Sequence, residues 1–304
     1  MPVRIVQSKQ NARLKELRRA LTHPGRGDNG LAGIEGPNLL DEAVRAGLRL
    51  ACVFMAQEAE GLLEELRLPA ETEILLVPRD LLNGALTTEA PQPVAALVEP
   101  PLWDWDNVLD ARKDAIPLLV VLAGLQDPGN LGTILRSAEA FGANGMLCLP
   151  GTVSAWNAKA VRASAGSLFR LPLIETGVEE CFARLRAAGV KIWTTAVNGA
   201  EAVGSANLAE AVALLIGNEG NGVPQELAAE ADGALTIPCP GPVESLNAAV
   251  AASVLLYEAS RQRAMGSATA FGVTSQRDCY SPHSSQNAEW MGHPDPAKAG
   301  RGAR

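Results

Sequence analysis

The sequence predicts an α/β protein, with a mainly parallel sheet domain in its second half and a smaller α/β unit ahead of it. Two observations carry that prediction. Short apolar runs alternate with helix-period segments along most of the chain, which is the pattern of a parallel sheet covered on both faces. Three of the later runs, ending near Ala123, Ile216 and Ile237, pass into Gly/Asn/Pro-rich turns and then into helix starts. In sheets of this kind such turns gather at the carboxyl ends of the strands, where ligands bind. A chain of 304 residues has room for two domains of ordinary size.

From the N-terminus, Leu14, Leu17 and Leu21 recur at helical spacing among basic residues, predicting a short basic helix over Gln10–Leu21. The turn-rich HPGRGDNG comes next. LAGIEG is a strand, and Pro37 to Ala46 a helix with proline in its first turn. LRLACVFM is a strand, Glu58–Leu66 a helix, EILLVP a strand, Arg79–Asn83 a short helix and PVAALVEP a strand. Residues 1–102 form this first unit, which has no glycine-rich phosphate loop and reads as a binding module. Residues 103–115 form a linker, with Trp103 and Trp105 as apolar pins on a neighbouring surface.

The second domain spans 116–265. Its expected strands are Leu118–Ala123, Gly145–Leu149, Leu171–Ile174, Val190–Ala196, Ala211–Ile216 and Ala234–Ile237. Its expected helices are Leu131–Phe141, a short one at Ala158–Ala163, Glu179–Ala188, a short one after Pro224, and Leu246–Arg263. Residues 266–304 lose all periodicity and read as a disordered tail.

The formal charge of −8, from 26 basic and 34 acidic residues, argues against a generally sticky nucleic-acid binder. Between Met1 and Gly27, however, seven basic side chains face the single acid Glu16. That segment can meet phosphates. The five cysteines have no CxxC spacing and two of the three histidines fall in the tail, so neither a zinc site nor a disulfide framework is expected. Cys148, inside MLCL, reads as a core residue. No apolar run approaches a membrane span and no signal-peptide pattern opens the chain; a reducing cytoplasm is expected.

The candidate chemistry lies in the three turns. On the helix after the first, Leu131, Ile134, Leu135, Ala138 and Phe141 share a core face, leaving Asn130, Thr133 and Arg136 off that stripe. In GNEGNG the glycines permit positive φ and close backbone approach, and Glu219 is the one acid in the turn. The string matches neither GxGxxG nor the P-loop pattern. In the third turn Pro238, Pro240 and Pro242 stiffen the approach to Glu244-Ser245-Leu246-Asn247, and Ser245 is placed to cap the last helix. The small residues Ala248, Ala249, Ala251, Ala252 and Ser253 suit close helix packing or a dimer contact.

Taken in order, NLGTILRSAEAFG, LLIGNEGNGVP and IPCPGPVESLNAAVAASVLLYE resemble the three signature motifs of the SpoU/TrmH family of RNA ribose 2′-O-methyltransferases, in the SPOUT superfamily. The resemblance covers residues 116–265, and the first unit is similar to the family's smaller RNA-binding domain. It implies a SPOUT-type fold knotted as a trefoil and S-adenosyl-L-methionine as cofactor, contacted at Gly217, Ile237 and Leu246. It also implies a catalytic set of Asn130, Arg136, Glu219, Ser245 and Asn247, a homodimer, no metal, and an RNA substrate, ribosomal (23S) RNA in preference to transfer RNA. A methyl sulfonium is already activated, so alignment supplies most of the acceleration. The family assigns Arg136 as the base. Arginine stays protonated, so a phosphate-gripping, charge-stabilising role is the better physical reading. The competing readings are a nucleotide-binding oxidoreductase using GNEGNG, and a non-catalytic RNA-binding assembly factor.

Overall fold

The computed structural model describes residues 2–23, 30–110, 116–196, 200–243 and 245–268. The N-terminal part builds one sheet from β1 (Val3–Ile5), β2 (Ala32–Glu35), β3 (Leu50–Ala56), β4 (Ile74–Val77) and β5 (Val94–Val98). Its strand order is β1-β4-β3-β5-β2. β1 and β3 run parallel to β4, whereas β5 is antiparallel to both β3 and β2.

Helix α1 (Ala12–Thr22) buries Leu14, Leu17, Ala20 and Leu21, and starts where the Asn11 side chain accepts from the Leu14 amide. It lies so close over β2 that a Cβ on Gly33 would come 2.8 Å from Leu21 Cγ. The opposite face is covered by α2 (Pro37–Arg45), which buries Leu39, Leu40 and Ala43. α3 (Leu62–Glu65) and α4 (Arg79–Asn83) complete this half.

The segment expected as a plain linker carries α5 (Trp105–Asp110). Asp104 and Asn107 explain the helix start: each accepts the other's backbone amide at 2.9 Å, a reciprocal cap. The expected pinning role of Trp105 is met by a hydrogen bond from its Nε1 to Glu180 and by the Arg184 guanidinium 5.6 Å over its ring.

The second half forms a seven-stranded sheet. It comprises β6 (Leu118–Leu122), β7 (Gly145–Cys148), β8 (Leu173–Glu175), β9 (Lys191–Thr195), β10 (Glu201–Ala202), β11 (Val212–Ile216) and β12 (Gly233–Thr236). The order is β10-β12-β9-β11-β6-β7-β8, and every neighbouring pair is parallel. The central strands LLVVL and VALLI are buried along their whole length, as a sheet covered on both faces requires.

One face packs on α6 (Pro128–Ala140), α7 (Ala158–Ser164) and α10 (Ala248–Ala268); the other packs on α5 and α8 (Val178–Ala187), with α9 (Gln225–Ala229) beside it. Cys148 is buried as expected, and burial pushes its thiol up to about 12. The last helix extends beyond its expected end to Ala268; the tail reading for 269–304 lies outside the described residues.

The two sheets share a continuous apolar core in which Ile34, Leu40 and Val53 join Leu131, Ile134 and Val161. Arg170 adds a polar tie between the halves. Its Nε and one terminal nitrogen donate to Glu139 on α6 at 2.6 and 3.0 Å, while the other terminal nitrogen donates to Glu42 on α2 at 2.5 Å.

Candidate active site

The first turn leaves the carboxyl end of β6 and enters α6 through Asp127-Pro128. Asp127 is the N-cap: its Oδ1 accepts from the Asn130 amide at 2.9 Å, and Pro128 takes the first-turn position that needs no donor. Lys159 at 2.7 Å, together with backbone amides of the first turn, holds the Asp127 carboxyl below the usual carboxylate range. The helix packs tightly on α7. A Cβ on Gly132 would lie 2.4 Å from the Ala160 carbonyl oxygen, so glycine permits the approach that fixes the angle of α6.

The second turn leaves β11 and folds back on itself. Asn218 and Gly222 exchange backbone hydrogen bonds, with Gly222 at φ +68°. The Asn218 side chain accepts from the Gly220 and Asn221 amides and donates to the Gly124 carbonyl at 2.9 Å. These loop amides are already engaged, which disfavours the phosphate-binding reading of GNEGNG. Gly217 is a steric necessity: an added Cβ would sit 2.1 Å from the Gly222 carbonyl carbon.

Glu219 then reaches across to the first turn. Its Oε1 accepts from the Asp127 amide and from Asn130 Nδ2, both at 3.0 Å, and its Oε2 accepts from the Gln126 amide at 3.2 Å. Partial burial alone would raise this carboxyl. The donors, Asn130 foremost, outweigh it and hold Glu219 below its ordinary value. A carboxylate stabilised in this way is a weak proton acceptor and a good strut.

The third turn brings a correction. Asn247, rather than Ser245, caps α10: its Oδ1 accepts from the Ala249 and Val250 amides at 2.9 and 3.3 Å. The helix starts two residues later than expected because the cap that satisfies its first amides is the asparagine next to Ala248. With its oxygen so occupied, Asn247 donates through Nδ2 to Asn130 Oδ1 at 3.0 Å. Asn130 is therefore a joint between the turns, giving its NH2 to Glu219 and its oxygen to Asn247. Both neighbours fix that orientation, since a carboxylate only accepts and the Asn247 oxygen is already used.

Asn130, Glu219 and Asn247 thus meet in one hydrogen-bonded chain. Arg136 and Ser245 do not join it. Arg136 is exposed on α6, with no hydrogen bond or ion pair among the described residues, and Ser245 is exposed ahead of the cap. Ile237 lies partly buried against the core after β12, and Leu246 is half-buried. Gln126, Asp127 and Asn218 belong to the site although sequence reasoning passed over them; Asp-Pro ahead of an apolar-periodic segment was the available signal for Asp127.

Beside this chain α6 packs along α10, with Ser137 and Ser253 hydroxyls 2.7 Å apart and Phe141 edge-on to Tyr257. Val250 and Tyr257 remain 50% and 55% exposed there, an unusual outlay of apolar surface beside a polar site. Chemically, the arrangement offers an anchored amide and an anion at a loop cluster, with the unpaired Arg136 cation on the same helix as Asn130. That suits orientation of a hydroxyl better than covalent catalysis.

The SpoU rRNA Methylase family model matches residues 117–257, and that of the MRM3-like substrate binding domain matches residues 11–96. The 23S rRNA (guanosine(2553)-2′-O)-methyltransferase RlmP of Bacillus subtilis is 31% identical over 256 residues, which is 83% of this chain and 97% of the relative. The chain belongs to the SpoU methylase family. The 23S rRNA (uridine(2479)-2′-O)-methyltransferase of Streptomyces viridochromogenes is 36% identical over 67% of this chain and 72% of its own. Among solved SpoU structures, AviRb from that organism in complex with AdoMet superposes with a TM-score of 0.72 at 32% identity, over 84% of this chain and 99% of its own. The AdoMet-bound rRNA methyltransferase of Sinorhizobium meliloti gives 0.75 at 29% identity, over 85% and 98%. The mainly parallel sheet with a smaller α/β unit ahead of it is the SpoU architecture that the motifs implied.

Proposed function

We propose that this SpoU protein transfers a methyl group from S-adenosyl-L-methionine to a ribose 2′-hydroxyl of RNA, with ribosomal RNA favoured over transfer RNA. The observation that carries the reading is the Asn130–Glu219–Asn247 chain, which ties all three motif turns to one point. The relatives from Bacillus subtilis and Streptomyces viridochromogenes are named as 23S rRNA 2′-O-methyltransferases, and the chain spans most of each.

The residues present fit such a cofactor. The turns after β11 and β12 would offer backbone groups at Gly217 and Leu246 and an apolar wall at Ile237. When bound, the cofactor supplies an electrophilic methyl whose departure leaves a neutral thioether. Asn130, locked between Glu219 and Asn247, orients the acceptor hydroxyl, whose proton passes to solvent water at this exposed site as the oxygen takes the methyl group. Arg136, unpaired and exposed, grips a neighbouring phosphate and stabilises negative charge developing on the ribose oxygen. Ser245, exposed ahead of α10, helps to align the substrate. The basic face of α1 collects the RNA electrostatically, so binding weakens steeply with salt.

The exposed Val250 and Tyr257 on α10, where it runs beside α6, support a homodimer through this domain. The knot of the family and a cytoplasmic location complete the reading, and among the described residues no helix is long and apolar enough to cross a membrane.

The test is label transfer from methyl-labelled cofactor to ribosomal and transfer RNA. Arg136→Ala should lower kcat by about 100-fold or more, the scale of losing one charge-stabilising group, without changing Tm. Equal transfer by both proteins removes Arg136 from the mechanism. No transfer to either RNA overturns the enzymatic reading.

A further inference from the structure

Trp103, the other tryptophan of WDWDN, lines a cavity of about 910 Å³ at the carboxyl ends of β7 and β8. Trp156, from the approach to α7, lines it too and is stacked on Phe169 at 6.1 Å between ring centres. The volume lies within the range of pockets that hold small organic groups.

The cavity adjoins the candidate active site without belonging to it. Gly151 in its wall accepts from the Gln126 side chain, and the Gln126 backbone amide donates to Glu219. Thr152, also in the wall, accepts from the Gly124 amide at the start of the first motif turn. One residue therefore separates the cavity from the carboxylate that anchors Asn130.

The lining decides what fits. Glu175 is its one charged residue, and none of its described residues is a cation, so phosphate is disfavoured. Two tryptophans suit a flat aromatic ring, the way unstacked bases of single-stranded RNA are held. A carboxylate only accepts hydrogen bonds. Among the four RNA bases, guanine alone sets two kinds of N–H donor, N1–H and the N2 amino group, side by side on its Watson–Crick edge.

We propose that this cavity is a base-binding subsite that takes an unstacked guanine of the RNA substrate close to the methylated ribose, with Trp103 stacking on it and Glu175 reading its donor edge. The assignment rests on the RNA methyltransferase reading and adds a specificity element to it.

Two measurements test it. In methyl transfer to total RNA, Trp103→Ala should raise KM for RNA by about tenfold, the scale of one lost base stack, with kcat, Tm and S-adenosylmethionine affinity unchanged. An unchanged KM overturns the stacking role. Equilibrium dialysis of labelled guanosine, inosine and uridine against the full-length protein needs no methyl transfer. Guanosine should be retained at least about tenfold better than inosine, which lacks the N2 amino group, by the ordinary worth of a hydrogen bond to a charged group. Glu175→Gln should erase that preference and Trp103→Ala should abolish retention. Equal retention of all three nucleosides by the wild-type protein overturns the subsite. Guanosine retention without methyl transfer to any RNA would leave the subsite standing and remove the enzymatic reading, so the two fail separately. Stronger retention of guanosine 5′-monophosphate than of guanosine would replace the RNA base by a free nucleotide.

Discussion

Replacing Glu219 by glutamine changes one atom and removes one charge, and the local geometry determines the damage. Two donors converge on Oε1, the Asp127 amide and Asn130 Nδ2, and the Gln126 amide reaches Oε2. In Glu219→Gln all three lose the charged acceptor, and whichever oxygen becomes NH2 faces a donor. Orienting the amide to keep Oε1 as oxygen preserves two weakened bonds and sets NH2 against the Gln126 amide. Each bond to a charged acceptor contributes up to about 1.5–3 kcal/mol when buried and nearer 1 when water competes, as at this partly exposed site. A net loss of about 1–2 kcal/mol is expected, a fall in Tm of roughly 2–3 °C for a chain of this size.

The larger effect falls on Asn130, whose remaining partner is Asn247. A misplaced positioning group costs on the order of 100-fold in rate, so kcat should drop about 10- to 100-fold with little change in cofactor affinity. The native carboxyl is held below its ordinary value, so its contribution to stability is complete above about pH 4.5, the value it takes when unfolded, and is lost as pH falls through the lower folded value. Glu219→Gln should lack that component of acid sensitivity. Wild-type kcat and Tm in the variant would refute the strut.

Two further outcomes rest on the packing. Gly217→Ala would drive a methyl group to 2.1 Å from the Gly222 carbonyl carbon, so the second turn must open; S-adenosylmethionine binding by calorimetry should be lost while the far-UV spectrum persists. Arg263 donates to the backbone carbonyls of Ile116, Pro117, Leu208 and Glu210, and burial lowers its guanidinium to about 10, still protonated at neutral pH. Arg263→Met removes this donor from the Leu208 and Glu210 carbonyls, while Pro117 keeps the Val212 amide; at about 1–3 kcal/mol for a buried unsatisfied group thermal scanning should show a drop of roughly 2–5 °C.

The sheet domain was legible because its strands are continuous apolar runs and its turns are marked by glycine and proline; β6, β7 and β11 fall where those runs predict. Short edge strands were not. Val3–Ile5 sits in a polar, basic context and becomes a strand because β4 offers an open edge, a tertiary event no local pattern records. Leu173–Glu175 lies two residues later than its apolar run suggests because the Leu171 amide still donates back to the Ser167 carbonyl and Pro172 has no amide for the ladder. The α5 helix hid in WDWDN because its cap is a reciprocal Asp104–Asn107 pair that reads as linker polarity. At the site, the motifs placed Asn130, Glu219 and Asn247 on three turns, but their meeting is long-range. Sequence reading takes Ser245 as the cap, whereas Asn247, an equally good capping residue two positions on, holds the place, because its amide also links to Asn130.

Arg170 spans the two halves of the molecule. One guanidinium holds Glu42 on a helix of the small sheet and Glu139 near the far end of the helix whose first turn carries Asn130. The small sheet is thereby fastened to one end of a rod of about 20 Å, at 1.5 Å per residue, whose other end carries Asn130. For a protein that must single out one sugar on a very long polymer, two halves clamped at a fixed spacing have the build of a caliper.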